Sequence, residues 1–195
     1  TSDSDYSWWD FVRRNNDELV ATYGNLAHRV LTFTYRNFQG RIPTPNQLDQ
    51  TSEAFLSKVQ DLFVEVDNNL KLCHFRNALS SAMSIAQESN KYLDQQQPWK
   101  TIKEDRESTA TTLWVALSAI NCLKTALWPF LPFSSEKLHR TLGFTDIKSQ
   151  PIWHWEPSLQ ELPPDQVMNL PEPLFTKLEP EIADQEVERL KMSQP

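Results

Sequence analysis

The spacing of apolar side chains along the first forty residues predicts one long amphipathic helix over 5–38. Apolar positions recur there at intervals of three, four or seven residues, the period of a helix face that packs against a neighbour. They are Val12, Leu19, Tyr23, Leu26, Val30 and Phe33. Three side chains can cap the start of this helix: Asp5, Ser7 and Asp10. Gly40 and Pro43 are expected to end it.

The same periodicity predicts four more helices in the next hundred residues. They are expected over 46–71, 75–93, 108–128 and 134–142. Pro98 prevents the second of these from continuing, while Ser134 is the expected N-cap of the last and Gly143 follows its end. Each long segment has one apolar stripe, which is the requirement for an antiparallel bundle. The predicted fold class is therefore all-α, with an antiparallel helix bundle over residues 5–143.

The chain changes character after Gly143. Six prolines fall between positions 151 and 173 and exclude long helices there. Large apolar side chains nevertheless remain frequent: Trp153, Trp155, Leu170, Leu174 and Phe175. We therefore expect residues 144–195 to form an extended, Pro-rich segment that packs over the bundle, with its Trp and Phe side chains as anchors. An acidic helix over 179–192 is expected to follow.

Composition excludes several classes of protein. The 195 residues are 39% hydrophobic, and they contain no run of eighteen apolar residues and no charged-then-apolar leader. These features predict a folded, cytoplasmic protein with no membrane segment. Cys73 and Cys122 lie in helical patterns without a second cysteine or a histidine cluster nearby. They are expected to be reduced, largely buried thiols, and no metal site is predicted.

Charge and motifs argue against both catalysis and indiscriminate nucleic-acid binding. The net charge is −7, and residues 144–195 carry ten acidic and only four basic side chains. Any anion-binding surface must therefore be local and lie within the nearly neutral N-terminal part. The four histidines are scattered, and no GxGxxG, P-loop or HExxH motif is present. We predict no catalytic residue and no cofactor within this sequence.

A polar stripe with helical spacing accompanies the apolar face of the first helix. Its members are Arg14, Glu18, Thr22, Asn25, Arg29, Thr32 and Arg36. Most such stripes are solvated helix faces, but three features favour a binding surface. The cations are all arginine, which suits planar or bidentate contacts, and Asn25 is a poor helix former. Gly24 costs about 1 kcal/mol in a helix interior relative to alanine, which indicates a close approach.

Trp99, directly after Pro98, is the second candidate binding group. It is either a plug in the core or an exposed indole on which a base can stack. An Asn25–Arg29 pair presents several donors and one amide acceptor on one face. We hypothesise that these groups face one nucleotide-sized gap and hold an unpaired nucleotide by its edge and its face. Positive charge for a phosphate backbone is expected from Lys100, Lys103 and Arg106.

Seven short stretches, in order along the chain, carry a family resemblance. They lie at 16–20, 24–33, 38–43, 90–93, 97–100, 129–132 and 173–175. The most specific are Gly-Asn-Leu-x-x-Arg at 24–29 and Pro-Trp at 98–99. Together they resemble the anticodon-binding domain of the methionyl-tRNA synthetase family, over about residues 10 to 180.

The resemblance implies an all-α domain and a role for three residues. In that family the residues matching Asn25 and Arg29 contact the first anticodon base, a cytosine, and the one matching Trp99 stacks on the anticodon. It implies two partners, the CAU anticodon stem-loop of tRNA(Met) and the enzyme's own catalytic domain, which uses ATP to attach methionine. The full set of RNA-binding candidates is Asn25, Arg29, Trp99, Arg36, Lys100 and Lys103.

The family's nucleotide-binding fold, its two signature motifs and its zinc-binding insertion are not found in this sequence. We therefore expect a fragment that does not aminoacylate tRNA alone. Two alternatives remain open at this stage. The chain could be the anticodon-binding domain of another class I synthetase, such as a cysteinyl, isoleucyl or leucyl enzyme. It could also be a helical protein-interaction module that docks through Trp153, Trp155 and residues 179–192.

Overall fold

The computed structural model describes residues 6–144 and 162–192, and helices dominate both ranges. The helices are α1 Trp8–Arg14, a π-helical segment Asn15–Gly24, α2 Asn25–Asn37, α3 Gln50–Lys71, α4 Phe75–Gln96, α5 Pro98–Thr101, α6 Arg106–Leu127, α7 Pro132–Thr141 and α8 Glu181–Met192. Within those ranges no β-strand occurs, and Arg41 and Val167 form an isolated antiparallel bridge. The predicted all-α fold class is confirmed.

Helix α6 forms the centre of the bundle. Every residue from 109 to 127 is buried except Trp114, which is half-buried. α6 is long and apolar enough to cross a membrane, but 89% of its most apolar stretch is buried by the other elements. It is therefore the core helix around which the others pack. α3 and α4 form an antiparallel pair joined by a short turn, and α4 packs on α6.

Helix starts follow local capping chemistry. Asp49 accepts the backbone N–H of Ser52 at 2.7 Å, so α3 begins at Gln50 rather than at 46 as expected. Ser7 caps α1, which selects one of the three candidates. The predicted Ser134 N-cap is wrong, because α7 already begins at Pro132. A proline at the first helical position is pre-organised for the helix and lacks an N–H that would need a partner.

The predicted first helix is helical throughout 8–37 but changes its winding in the middle. Residues Asn15–Gly24 are π-helical, with hydrogen bonds between residues five apart, such as Asn25 N–H to the Val20 carbonyl. The hydroxyl of Thr22 also donates to the carbonyl five residues earlier, that of Asp17, at 2.9 Å. A π-helix has a wider turn than an α-helix. The polar stripe therefore does not keep one α-helical face before Asn25.

Residues 162–178, which we call the C-terminal strap, run back over the bundle. The strap pairs with residues 40–43: the N–H of Ile42 donates to Gln166 and that of Asp165 donates to Ile42, at 2.9 and 2.8 Å. Gly143 allows this approach, since it has φ +90° and a Cβ there would lie 1.9 Å from the Val167 carbonyl oxygen.

The strap makes apolar contacts along its length: Leu162 and Met168 are buried in the hydrophobic core. Leu174 and Phe175 are half-buried and pack against the core. Leu170, in contrast, is 69% exposed. Two of the expected anchors, Trp153 and Trp155, lie outside the described residues. The described part of the segment is therefore held on the bundle by residues from both of its halves.

Beyond the strap, α8 lies beside α1. The indole N–H of Trp9 donates to a carboxylate oxygen of Asp184 at 3.2 Å, and Ala183 is fully buried between the helices. The last helix, expected over 179–192, is thus present and is docked on the first.

One buried polar cluster connects α6 with α7. The ammonium of Lys124, which is 1% exposed, donates to Asn121 Oδ1 at 2.7 Å and lies 3.0 Å from His139 Nδ1. Burial lowers the pKa of Lys124 to about 7. Burial, with the nearby Lys124 and Arg140, lowers the pKa of His139 to about 4. His139 is therefore neutral near pH 7 and can accept a hydrogen bond from Lys124.

The two cysteines differ from each other. Cys122 is buried in α6 as expected, and burial raises the pKa of its thiol to about 12. Cys73 is exposed, so its predicted burial is wrong. It occupies the turn between α3 and α4 with φ +56°, a conformation that directs the side chain out of the helical pattern.

Candidate nucleic-acid interface

A cleft of about 450 Å³ opens between α2, the end of α4, α5 and α6. Its floor is apolar and is made by Val30, Phe33, Leu93 and Leu113. Its polar and aromatic walls include Arg29, Thr32, Arg36 and Trp99. The cleft therefore combines an apolar base with cationic and aromatic side chains at its rim.

Backbone geometry places Trp99 at this cleft. Gln97 adopts a left-handed conformation with φ +46°, which ends α4 and turns the chain sharply. Pro98 then starts α5 at its first position, and Trp99 follows. The indole is 37% exposed. The structure therefore matches the interpretation of Trp99 as an exposed indole rather than as a plug in the core.

Arg29 is held against the indole. Its guanidinium carbon lies 5.1 Å from the centroid of the Trp99 ring, within the range of a cation–π contact. Its Nη2 donates to Asn90 Oδ1 at 3.2 Å. The amide nitrogen of Asn90 donates in turn to the carbonyls of Thr22 and Ala86, both at 3.1 Å. Asn90 is thus fixed by two helical segments, and it fixes one edge of the guanidinium.

The other predicted residues are placed unevenly around the cleft. Arg36, in the last turn of α2, is exposed and lines the cleft with Arg29 and Trp99. Asn25 is exposed one turn before Arg29, and its side chain makes no hydrogen bond to the described residues. Lys100 and Lys103 are exposed near Trp99. Asn25, Lys100 and Lys103 therefore do not line the cleft itself.

Arg106, expected to supply positive charge near Trp99, also makes contacts within the protein. Its guanidinium carbon lies 4.6 Å from the centroid of the Phe38 ring, and Nη2 donates to the Asn37 carbonyl at 2.5 Å. The side chain therefore closes the C-terminal end of α2, where carbonyl groups lack helical partners. The residue is also exposed to solvent.

At the other end of the polar stripe, Arg14 is ion-paired with Asp10 and Glu18. Hydrogen bonds from Arg14 and Arg13 lower the pKa of the Asp10 carboxyl. The part of the stripe that can bind an anion therefore begins at Asn25.

Sequence reasoning missed the role of Asn90, and it placed Thr32 in the polar stripe without predicting that its hydroxyl is buried. Asn90 was noticed only as part of a family motif, although asparagine in the interior of a helix is itself a signal. The hydroxyl oxygen of Thr32 is buried at the cleft and has no hydrogen-bond partner in the part of the chain that the structure describes. Buried polar atoms usually have partners, so this hydroxyl is an exception beside the cleft.

Chemically, this site offers hydrogen bonds, positive charge and a flat aromatic surface. Within residues 6–144 and 162–192 no group of three His, Cys, Asp or Glu side chains is arranged to hold a metal ion. A guanidinium beside an indole suits a planar base with acceptor atoms on its edge. The fold and the site together define a helical bundle with a cationic and aromatic cleft at its surface.

Comparison with known proteins gives the family. The family model described as the anticodon binding domain of methionyl tRNA ligase matches residues 42–194. A model of class I tRNA synthetases (M) matches residues 1–31. The chain therefore belongs to the family of methionyl-tRNA ligase anticodon-binding domains. This result favours methionyl over the cysteinyl, isoleucyl or leucyl alternatives, and over a protein-interaction module.

Named relatives agree with this assignment. Methionine–tRNA ligase of Chloroflexus aurantiacus is 41% identical over 97% of this chain, and that of Dehalococcoides mccartyi strain 195 is 46% identical over 97%. The apo methionyl-tRNA synthetase of Mycobacterium tuberculosis superposes with a TM-score of 0.84 at 26% identity, over 91% of this chain. The same enzyme bound by methionyl-adenylate gives a TM-score of 0.81. The chain spans about a third of the length of these proteins, 34–36%.

Proposed function

We propose that this domain reads the CAU anticodon of tRNA(Met) through the cleft beside Trp99. The observation that carries the proposal is the contact between Arg29 and Trp99, at 5.1 Å, with Arg29 held by Asn90. It supplies a hydrogen-bonding edge and a stacking face at one opening of a cleft of about 450 Å³.

The edge of cytosine matches the donors and acceptor of this region. Cytosine presents an amino donor at N4 and acceptors at N3 and O2, which an asparagine oxygen and a guanidinium can satisfy. In this assignment Arg29 donates to N3 and O2, and Asn25 accepts from N4. Uracil carries a hydrogen on N3, so its N3–H donor would face the guanidinium donor of Arg29. A fitting bidentate contact discriminates between bases by about 1–3 kcal/mol, and stacking on Trp99 adds about 1–3 kcal/mol.

Three exposed cations are assigned to the phosphate backbone. Arg36 lies at the cleft, and Lys100 and Lys103 lie beyond Trp99. Three contacts to single-stranded RNA correspond to a slope of about −2 in a plot of log binding constant against log salt concentration. A weak salt dependence of this size is consistent with the net charge of −7.

We infer that in the full-length ligase this module serves a catalytic domain that attaches methionine to tRNA(Met) with ATP, in the cytoplasm. An exposed aromatic cluster is assigned to contact with that domain: Tyr6, Trp9 and Phe11, at 66%, 54% and 46% exposure. The cluster falls within residues 1–31, which match the class I synthetase model. It also lies at the opposite end of the first helical run from Arg29.

Binding of an isolated anticodon stem-loop tests the proposed reading. A labelled CAU stem-loop is expected to bind the domain at least about tenfold more tightly than the same loop with UAU. Arg29→Lys keeps the charge but loses the planar fork, so it should abolish the preference. Arg76→Lys changes an exposed arginine near the opposite end of α4 and should leave the preference intact. Equal binding of CAU and UAU by the wild-type domain would overturn the proposal.

A further inference from the structure

We propose that Phe175 of the C-terminal strap is a positioning residue for the nucleotide-reading pair Asn25 and Arg29. This inference rests on the function proposed above. Phe175 is far from Asn25 and Arg29 in the sequence, and it does not line the cleft. It acts through the junction where the π-helical segment changes into α2.

The ring of Phe175 lies directly against that junction. Its centroid is 5.5 Å from that of Tyr23, which is fully buried. A Cβ built on Gly24 would come within 3.1 Å of Phe175 Cδ2 and 3.0 Å of the Leu19 carbonyl oxygen. Gly24 is the last π-helical residue, and Asn25 is the first residue of α2. The close approach that the sequence predicted at Gly24 is thus made by the strap.

The strap also holds the start of the π-helical segment. The side chain of Asn16 donates to the Leu178 carbonyl at 2.8 Å and accepts the Leu178 N–H at 2.9 Å. Asn15 donates to the Thr176 carbonyl at 3.1 Å. Three strap residues, Phe175, Thr176 and Leu178, therefore touch both ends of a ten-residue π-helix. Long π-helices are rare because their backbone geometry is less favourable than that of an α-helix, so external contacts of this kind stabilise one.

The junction controls both members of the pair. Asn25 directly follows Gly24, and a displaced junction changes the winding of the turn before Asn25 and therefore the direction of its side chain. Thr22, inside the π-helical segment, supplies the carbonyl that holds Asn90, and Asn90 holds Arg29. A displaced junction would therefore misdirect Asn25 and release Arg29. The packing of Phe175 on Gly24 therefore keeps Asn25 and Arg29 in the orientations that the proposed base contacts need.

Stem-loop binding by strap variants tests this inference. Phe175→Ala is expected to weaken CAU binding about tenfold and to reduce the preference for CAU over UAU by a similar factor. Phe175→Leu keeps most of the apolar contact and should retain the preference. Lys137→Met is the matched control, because Lys137 ties the strap at Pro173 and Glu172 without contact to Gly24. It should leave the preference unchanged.

A double-mutant cycle covers the case in which Phe175→Ala does not fold. Gly24→Ala alone should reduce the preference for CAU, because the new methyl group displaces the Phe175 ring. The smaller leucine in Gly24→Ala with Phe175→Leu should restore at least half of that loss. Simple additivity of the two effects would overturn the inference.

Failure of this inference can be distinguished from failure of the proposed function. If the wild-type domain shows no preference for CAU, the proposed function itself is wrong. If the wild type prefers CAU and folded Phe175→Ala shows the same preference, with unchanged or uniformly weaker binding, then Phe175 is only structural and the inference is wrong.

Discussion

Replacing Trp99 is the sharpest test of how the cleft holds a base. Trp99→Ala removes the aromatic face, which contributes about 1–3 kcal/mol to binding of a stacked base. It also removes the cation–π contact that orders Arg29 at 5.1 Å, worth about 0.5–1 kcal/mol at an exposed site. A combined loss of about 2–3 kcal/mol corresponds to roughly 30- to 150-fold weaker binding of the CAU stem-loop.

Stability must be separated from binding in this experiment. The indole is 37% exposed, so its truncation should destabilise the fold by about 2 kcal/mol, less than the 3–5 kcal/mol typical of a fully buried tryptophan. Trp99→Leu is the matched control, since leucine retains apolar contact with the protein but offers no planar surface. Trp99→Phe retains a smaller aromatic face. Anisotropy of a labelled stem-loop and urea unfolding in the same buffer give the two free energies.

The order of binding affinities among the Trp99 variants decides the result. Stacking predicts that binding weakens from wild type to Phe and then to Leu and Ala, whatever the order of their stabilities. If folded Trp99→Leu binds the CAU stem-loop as tightly as the wild type, the indole is not a stacking platform and the reasoning is refuted.

Three further predictions concern the support of the site and the fold. Asn90→Ala should weaken CAU binding up to about tenfold in the anisotropy assay, because Arg29 must then be ordered on binding. Gly143→Ala should destabilise the domain in urea by about 3 kcal/mol or more, since φ is +90° and the Val167 carbonyl lies 1.9 Å from the new Cβ. Lys124 has a pKa of about 7 in the folded domain and an ordinary value of 10.5. Between these values the unfolded chain binds more protons, so stability should rise with pH by at most about 1.4 kcal/mol per unit. Lys124→Met should flatten that slope in urea titrations from pH 7 to 10.

Each of these predictions has its own control. Asn77→Ala changes an exposed asparagine near the start of α4, and a loss of binding equal to that of Asn90→Ala would argue against a specific role for Asn90. An unchanged urea midpoint for Gly143→Ala would show that the strap can move away from this turn. Lys58→Met alters an exposed lysine on α3 and should keep the pH slope of the wild type. A slope that persists in Lys124→Met would assign the pH dependence to other groups.

The positions of the main helices could be predicted from the sequence because helix periodicity and helix ends are local properties. The apolar stripes of α3, α4 and α6 repeat every three or four residues, and side chains within a few residues of an end determine where it falls. Errors occurred where two local signals competed. Pro132 started α7 two residues before the expected Ser134 cap, and Asp49 delayed the start of α3. Family motifs also indicated Arg29 and Trp99 as site residues, but not their separation.

Tertiary packing alone decided the winding of the first helix and the composition of the site. Nothing in the local pattern of 15–24 distinguishes a π-helix from an α-helix, because the difference depends on contacts with residues more than 150 positions away, such as Phe175 and Leu178. The same holds for Asn90, which meets Arg29 across 61 positions. It also holds for Arg106, whose guanidinium donates to the Asn37 carbonyl at the end of α2. A single sequence specifies which side chains can make such contacts, while chain folding in three dimensions selects the partners.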